Sequence, residues 1–475
     1  MSKVDNSFYV GGEWRKSAER SSITHPWDDS HVGGVFLASD ADIEDAISLA
    51  SAGFEKTKML SSYERSEILQ YIAGQIRERQ ENFAQLITAE IGKPIHFSRI
   101  EVERAVFTLQ LASEEAKRIS GDVIPLDLLA STKNRFGIVR RFPIGIVLGI
   151  IPFNFPLNLV AHKLGPAIAS GNSFLLKPPP QAPLTSLLLT KIVEESGFPK
   201  EAFSALPCKN STAERLVTDE RIKMLSFTGS PQVGWLLKAR AGRKKVVLEL
   251  GGNAGVIVDK SANVEDAVRK NVMGAFAYGG QTCIKVQRIF VHSEITERYI
   301  EAFIRETKSL KVGDPHSPET IVGPLVDKAA AERVVSWVEE SVDHGAEILC
   351  GGKSQGCVVE PTVLLNVRRT EKVFCNEIFG PVVTIHSFDD IGQAVAGIND
   401  SAFGLQAGIF TNDFKNILFA YDNIEAGGVV VNDNPTFRID NMPYGGTKQS
   451  GLGREGLKYA IEEMTEPKLL AINPS

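Results

Sequence analysis

From residue 146 to residue 250 short apolar runs alternate with helix-spaced segments, and no other feature restricts the fold of this 475-residue chain so tightly. The pattern predicts strands over 146–151, 173–177, 203–206, 222–227 and 246–250, separated by helices over 157–169, 184–196, 213–217 and 233–241. Strands joined in this rhythm are crossover units, which makes the sheet parallel and the class α/β. A second α/β stretch runs from Ala254 to about Val431. Ahead of both the chain is helical. Ser39-Asp40-Ala41-Asp42 reads as a capping box before helix-spaced Ile43, Ala46, Ile47 and Ala50, and longer helical stretches follow over 64–91 and 97–118. Residues 119–142 change character, with Gly121, Pro125 and a strand-like run over 136–142 that reads as a hairpin or arm. The tail holds one short helix and an apolar strand over 468–472. At roughly 150 residues per domain, the length is about three domains' worth.

Composition removes several function classes. Lys and Arg number 52 against 58 Asp and Glu, a net charge of −6, whereas a phosphate-tracking nucleic-acid binder gathers a basic excess. Arg140-Arg141 and Arg243-Lys244-Lys245 are too short to change this. The start of the chain has no apolar segment of a secretory signal. The most apolar stretch, 144–159, is broken by Pro152 and Pro156 and holds two asparagines, so no membrane span is expected. Five cysteines occur without any C-x-x-C pair, which indicates neither a zinc knuckle nor a dithiol, and no metal is expected. The expectation is a cytoplasmic protein with reduced thiols.

Gly451-Leu452-Gly453-Arg454-Glu455-Gly456 matches G-x-G-x-x-G, but only 19 residues follow it, too few for the βαβ unit a dinucleotide fingerprint needs. A glycine-rich turn before a terminal helix is expected instead. Phe227-Thr228-Gly229-Ser230-Pro231 is the better phosphate candidate. It ends a strand and opens a helix, with Ser230 suited to the N-cap, Pro231 to the first turn, and free N–H groups facing an anion. Cys283, in Tyr278-Gly279-Gly280-Gln281-Thr282-Cys283, follows two glycines that allow unusual dihedrals and close approach. A free thiol is mostly protonated at neutral pH, so a nucleophilic cysteine needs activation. Among eight histidines none sits in a motif-like setting, which disfavours a cysteine hydrolase, and His162 and His292 read as structural. Cys208, Cys350, Cys357 and Cys375 read as buried filler. Glu249 ends a strand between apolar neighbours and precedes Gly251-Gly252, where burial would raise its pKa toward that of a general base. Asn154, in Pro152-Phe153-Asn154-Phe155-Pro156, offers an amide to a developing oxyanion. Taken alone, each feature has a plainer reading: a capped structural helix, a small buried hydrophobe, an exposed strand-end carboxylate, a turn asparagine.

Together and in order they do not. The Pro-Phe-Asn-Phe-Pro segment at 152, Phe-Thr-Gly-Ser at 227, Glu-Leu-Gly-Gly at 249, Gly-Gln-Thr-Cys at 280, Glu377-Ile378-Phe379-Gly380-Pro381 and Pro443-Tyr444-Gly445-Gly446 resemble the aldehyde dehydrogenase superfamily. The resemblance extends from Gly11-Gly12-Glu13-Trp14 to the tail. It implies two parallel-sheet α/β domains, a Rossmann-like cofactor domain and a catalytic domain, plus a β oligomerisation arm. In that fold residues 1–118 and 141–249 form the cofactor domain, 250–430 the catalytic domain, and 119–140 with 456–475 the arm and tail of a homo-oligomer, dimer or tetramer. Cys283 would be the nucleophile, Asn154 and the Cys283 N–H the oxyanion donors, and Glu249 the base that hydrolyses a thioester. NAD(P) would lie along Ile151, Pro152 and Phe153. Gly229 and Ser230 would face its pyrophosphate and Lys177 the adenine-side ribose, with Gly251, Glu377 and Phe379 at the nicotinamide end.

The chain departs from the family pattern after Lys177. NAD-preferring members carry Pro-Ser-Glu there, and this chain has Pro178-Pro179-Pro180, which removes a carboxylate that would repel a 2′-phosphate and leans the cofactor toward NADP. On the substrate side, Arg438 and Arg104 resemble positions used by the lactaldehyde, non-phosphorylating glyceraldehyde-3-phosphate and phosphonoacetaldehyde dehydrogenase branch, where guanidinium groups suit anionic substrates. Each arginine also fits an ordinary structural ion pair. Phosphate-handling members carry arginine where Thr282 stands and histidine where Phe155 stands, so a less charged substrate is expected, a hydroxyaldehyde such as lactaldehyde or glyceraldehyde, or an acid semialdehyde. The alternatives are a coenzyme A-acylating relative, disfavoured by Glu249, and a catalytically retired structural relative, disfavoured by keeping Cys283, Glu249 and Asn154 together.

Overall fold

The computed structural model describes residues 7–474. Residues 1–6, part of the start read above for a signal, lie outside the described residues, as does Ser475.

The expected alternation is present almost residue for residue. Strands Ile146–Ile150, Ser173–Lys177, Phe203–Ala205, Ile222–Thr228 and Lys245–Glu249 pair in parallel through helices Asn158–Ser170, Pro183–Glu195, Asn210–Thr218 and Pro231–Arg240. Across the sheet their order is Phe203–Ala205, Ser173–Lys177, Ile146–Ile150, Ile222–Thr228, Lys245–Glu249. The chain therefore first builds outward to one side of Ile146–Ile150 and then crosses to the other. Apolar clusters lie on both faces of this sheet, which is why its strands are apolar throughout rather than alternating. Three pieces join the edges beyond the expected strands: antiparallel Phe8–Val10 and Glu13–Arg15 on one side, and antiparallel Gly451–Leu452 against Lys245–Glu249 on the other.

The second sheet has the order Glu347–Cys350, Thr362–Leu365, Val382–Phe388, Val286–His292, Ala254–Val258, Ala407–Phe410, Val429–Val431. It too is doubly wound, with apolar clusters on both faces. The fold is the two-sheet α/β arrangement with a separate β arm. In that arm, Thr465–Ile472 pairs antiparallel with Phe136–Pro143 along its whole length, and Asp122–Pro125 adds a third strand.

The N-terminal helical layer shows how local chemistry sets its boundaries. Helix Asp40–Thr57 begins with the expected capping box: Ser39 Oγ accepts from the Asp42 N–H, and the Asp42 carboxylate accepts from the Ser39 N–H. The stretch expected as one helix over 64–91 is two, Ser62–Glu78 and Gln80–Ile91, broken where Arg79 leaves helical dihedrals. Gly92, at φ 64°, ends the second, and helix Ile95–Ala116 starts after Pro94. The G-x-G-x-x-G segment is the expected turn, with Gly453 and Gly456 at positive φ before helix Leu457–Glu463.

Candidate active site

Three strand ends deliver the chemistry-bearing side chains to one place. Asn154 lies in the turn after Ile146–Ile150, Glu249 closes Lys245–Glu249, and Cys283 sits just before Val286–His292 of the second sheet. Glycine lets these backbones touch. A β-carbon at Gly252 would collide with the Cys283 carbonyl oxygen, and one at Gly445 would lie 2.8 Å from Glu249 Oε1. The loop leading to the thiol is wound left-handed through Tyr278 (φ 56°), Gly279 (φ 63°) and Gly280 (φ 68°), a conformation tyrosine adopts only under strain. Gln281 pins that loop: its Oε1 accepts from the Val326 N–H at 2.9 Å and its Nε2 donates to Pro324 O at 3.2 Å. The Gln281 carbonyl in turn accepts from Asn154 Nδ2 at 3.0 Å, which holds the amide beside the nucleophile's loop. Among the described residues the Cys283 N–H donates to no acceptor.

Electrostatics keep the resting site neutral. Burial pushes the Cys283 thiol up to about 12; the hydroxyl of Tyr444, 3.2 Å from Sγ, acts in the opposite direction, as does Arg438, while Glu377 and Glu249 add to the rise. Burial also raises Glu249 well above the ordinary carboxylate range, the Glu455 charge adding to it and Arg438 and Lys163 opposing. Neither Glu249 oxygen has a hydrogen-bond partner among the described residues, and neither does Asn154 Oδ1. Two buried groups, Glu249 and Asn154, thus keep unspent hydrogen-bonding capacity.

The cleft beside them meets the requirements of a dinucleotide. Ligands of doubly wound sheets bind outside the carboxyl ends of the strands where the strand order reverses, here between Ile146–Ile150 and Ile222–Thr228. Those two ends carry Ile151, Pro152 and Phe153 on one side and Thr228, Gly229 and Ser230 on the other. Ser230 caps helix Pro231–Arg240, its Oγ accepting from the Val233 N–H, and Pro231 fills the first turn. Thr228 Oγ1 is buried without a hydrogen-bond partner among the described residues. Lys177 is buried with no ion pair among the described residues and ends the next strand, beside a cavity of about 270 Å³ lined by Pro178, Pro179, Pro180, Pro207, Cys208 and Lys209. Gly251 could bear no side chain, because a β-carbon would collide with Glu377 Oε2. Glu377 Oε1 accepts from the Gly252 N–H at 3.0 Å, and burial pushes this carboxyl up to about 7. Phe379, at φ 43°, packs edge-on against Phe153 with ring centroids 6.0 Å apart. These residues fit a nucleotide with a pyrophosphate at a helix start and a ribose at a buried carboxylate.

Comparison with known proteins settles the family, since residues 14–470 match the model described as the aldehyde dehydrogenase family. The chain belongs to it. A 3-sulfolactaldehyde dehydrogenase from Priestia aryabhattai is 43% identical over 98% of this chain and 97% of its own length. Aldehyde dehydrogenase 21 from Physcomitrella patens, solved with the reaction product succinate, is 41% identical with a TM-score of 0.96, covering 98% of each chain. A glyceraldehyde-3-phosphate dehydrogenase from Methanocaldococcus jannaschii, complexed with NADP, is 40% identical with a TM-score of 0.92, over 96% of this chain and 99% of that one. The protein is an NAD(P)-dependent aldehyde dehydrogenase acting on small aldehydes, and it falls in the branch whose sequence features it shares. Among the described residues no helix is long and apolar enough to cross a membrane.

In this aldehyde dehydrogenase the residues expected on the substrate side are not free cations. Arg438 is buried, stacks 3.6 Å above the Tyr444 ring, and donates from Nη2 to Glu455 Oε2 at 3.1 Å; its Nε has no hydrogen-bond partner among the described residues and lies 3.9 Å from Asp440 Oδ1. Arg104 pairs with Asp440 at 2.6 Å, and the same Asp440 oxygen lies 2.9 Å from His162 Nε2. His162, read above as structural, is therefore part of a charged network running Arg104, Asp440, His162, Arg438, Glu455, Lys163 beside Glu249. Phe155 packs edge-on against Tyr278 at 6.4 Å. Thr282 precedes the nucleophile in the loop, half-buried, and its carbonyl accepts from the Lys285 N–H. Sequence reasoning passed over Tyr444, Asp440, Glu455, Lys163 and the pair Lys93–Glu101. One signal was available. Helix Asn158–Ser170 is apolar enough to be buried on every side, so His162 and Lys163 within it had to find polar partners.

Proposed function

We propose that the protein oxidises a small polar aldehyde to its carboxylic acid through a cysteine-bound intermediate that water hydrolyses. The substrate is a hydroxyaldehyde or an acid semialdehyde, and the cofactor is NAD(P) with a lean toward NADP. The observation that carries this reading is a buried, unpartnered Glu249 carboxyl beside the loop of Cys283, to whose Gln281 carbonyl Asn154 Nδ2 donates one of its two hydrogens, next to the strand-order reversal of the first sheet.

Cys283 Sγ, as the thiolate left when its proton passes to solvent, attacks the aldehyde carbon, and the oxygen that becomes negative is received by Asn154 Nδ2 and the Cys283 N–H. Each such donor supplies on the order of 100- to 1,000-fold in rate. NAD(P)+, held by Ser230, Lys177 and Glu377, would supply the hydride acceptor that the oxidation needs. Glu249, ionised, draws a proton from water, which attacks the thioester and frees the acid and the thiol. Tyr444 holds the sulfur in place from the opposite side. Ser230 and the first N–H groups of its helix hold the pyrophosphate, Lys177 the adenine-side ribose and Glu377 the other ribose, with Phe379 beside it. The cavity beyond Lys177 contains no carboxylate in its lining, so a 2′-phosphate meets no repulsion there, which supports the lean to NADP. Arg438 and Arg104, although paired with Glu455 and Asp440, are the cations nearest to hand for a polar or anionic tail, and Phe155 with Thr282 frames the carbon skeleton. Relatives named for 3-sulfolactaldehyde or bound to succinate support a substrate of that polarity. Residues 1–118 with 141–249 act as the cofactor domain and 250–430 as the catalytic domain, with 119–140 and 456–475 forming the arm of a cytoplasmic homo-oligomer.

A panel of small aldehydes assayed against both cofactors tests the reading. Reduced cofactor should form fastest with three- and four-carbon hydroxyaldehydes or semialdehydes, and Cys283→Ala should abolish it with every member. Turnover by Cys283→Ala, or a preference for long apolar aldehydes, would refute it.

A further inference from the structure

The turn that carries Asn154 has no regular secondary structure, yet the reaction proposed above needs its amide fixed to a fraction of an ångström. What fixes it comes from elsewhere in the chain. Lys93, at the bend before helix Ile95–Ala116, and Glu101, on that helix, form an ion pair of 2.6 Å with side chains 1% and 0% exposed. Burying two charges is unfavourable unless their remaining bonds are well used, and here all of them go to one turn. The Lys93 ammonium donates a second hydrogen bond, 3.0 Å, to the carbonyl of Asn154 itself. It also lies 3.6 Å from the centre of the Phe155 ring and 4.8 Å from that of Tyr278, the strained residue of the nucleophile's loop. The second oxygen of Glu101 accepts from the Leu157 N–H at 2.9 Å and the Asn158 N–H at 3.2 Å. These are the first donors of helix Asn158–Ser170, which has no side-chain cap of its own. One pair therefore grips the turn at both ends.

We infer that Lys93, held by Glu101, is a positioning residue for the oxyanion-donating amide of Asn154. It never touches substrate. It acts through the Asn154 backbone, setting the direction in which Nδ2 points. The inference rests on reading Asn154 as the oxyanion donor.

The test is a double variant, Lys93→Met with Glu101→Gln, which removes both buried charges at once and leaves a carbonyl to accept from Leu157 and Asn158. The expected result is a kcat about 100-fold lower, the scale of a misplaced catalytic group. Cofactor KM, the alkylation rate of Cys283 and the melting temperature stay near the wild type. Adding Asn154→Ala lowers kcat no further than Asn154→Ala alone, because both changes disable one amide. Wild-type kcat in the double variant, or losses that multiply with Asn154→Ala, would overturn the inference. If Asn154→Ala alone keeps full kcat, the oxyanion reading fails first and this inference with it. Should the double variant not fold, Lys93→Arg serves: it keeps the charge pair, but a planar guanidinium does not reproduce a compact ammonium's reach. The same kcat loss at unchanged cofactor KM is expected, and full kcat would again overturn the inference.

Discussion

In the proposed reaction, Glu249 is the residue on which the fate of the intermediate turns. Buried among apolar neighbours without a hydrogen bond, it holds its proton well above the ordinary carboxylate range. A base with a raised pKa is disabled at low pH and enabled as pH rises, so steady-state kcat should climb with pH and level off once Glu249 is ionised. Glu249→Gln should remove that rise. It should also leave a first burst of about one equivalent of reduced cofactor followed by turnover roughly 100- to 10,000-fold slower, since only deacylation needs the base. Stopped-flow absorbance checks both, and normal turnover without a burst would assign the base to another group. Cys283 and Glu249 stood out in the sequence because glycines lie close by, left-handed Gly279 and Gly280 before the one and close-packed Gly251 and Gly252 after the other. Tyr444 was quoted only as part of a motif, and nothing local marks it as the partner of a sulfur 161 residues away.

At the scale of single elements, the cofactor half has a recurring device: a buried glutamate on the N-terminal helical layer caps a helix of the βαβ unit. Glu101 does so for Asn158–Ser170. Glu90 does so for Pro183–Glu195, accepting from the Leu184 N–H at 2.6 Å and from the Thr185 N–H and hydroxyl at 2.9 and 2.6 Å. Neither helix caps itself. Glu90→Ala would leave these donors buried and unpaired, a loss of about 2 kcal/mol visible as a lower melting temperature. Burial raises Glu90 from 4.5 to about 7, which favours the protonated form in the folded chain. Its contribution is therefore present below pH 4.5 and lost as pH rises through about 7, and Glu90→Gln should flatten that dependence in thermal melts. The helices and strands themselves were legible, because period and capping boxes are local. These caps were not, because the glutamate and the helix it serves stand 94 residues apart.

On the scale of the whole molecule, the arm turns a run of apolar residues outward. Leu469 and Leu470 on Thr465–Ile472 are 51% and 59% exposed, and Leu128, Leu129 and Val123 nearby in the arm are more so. An extended, apolar sheet left uncovered is a surface for a second copy. Leu470→Glu should shift the protein toward monomer in sedimentation velocity while leaving the fold intact, and an unchanged sedimentation coefficient would place the interface elsewhere. Two of the arm's strands were readable, as a strand-like run over 136–142 and an apolar run over 468–472. The edge strand Gly451–Leu452 was not, being two residues inside a glycine-rich turn. That same short segment has a consequence in time. Tyr444 meets Cys283, Glu455 bonds Tyr444 through both backbone groups, and Gly451 lines up with Glu249, so the site is walled by residues made near the end of translation. Domains fold in the order they emerge from the ribosome. A polypeptide released before residue 444 therefore lacks one wall of this site and the buried partner of Lys163.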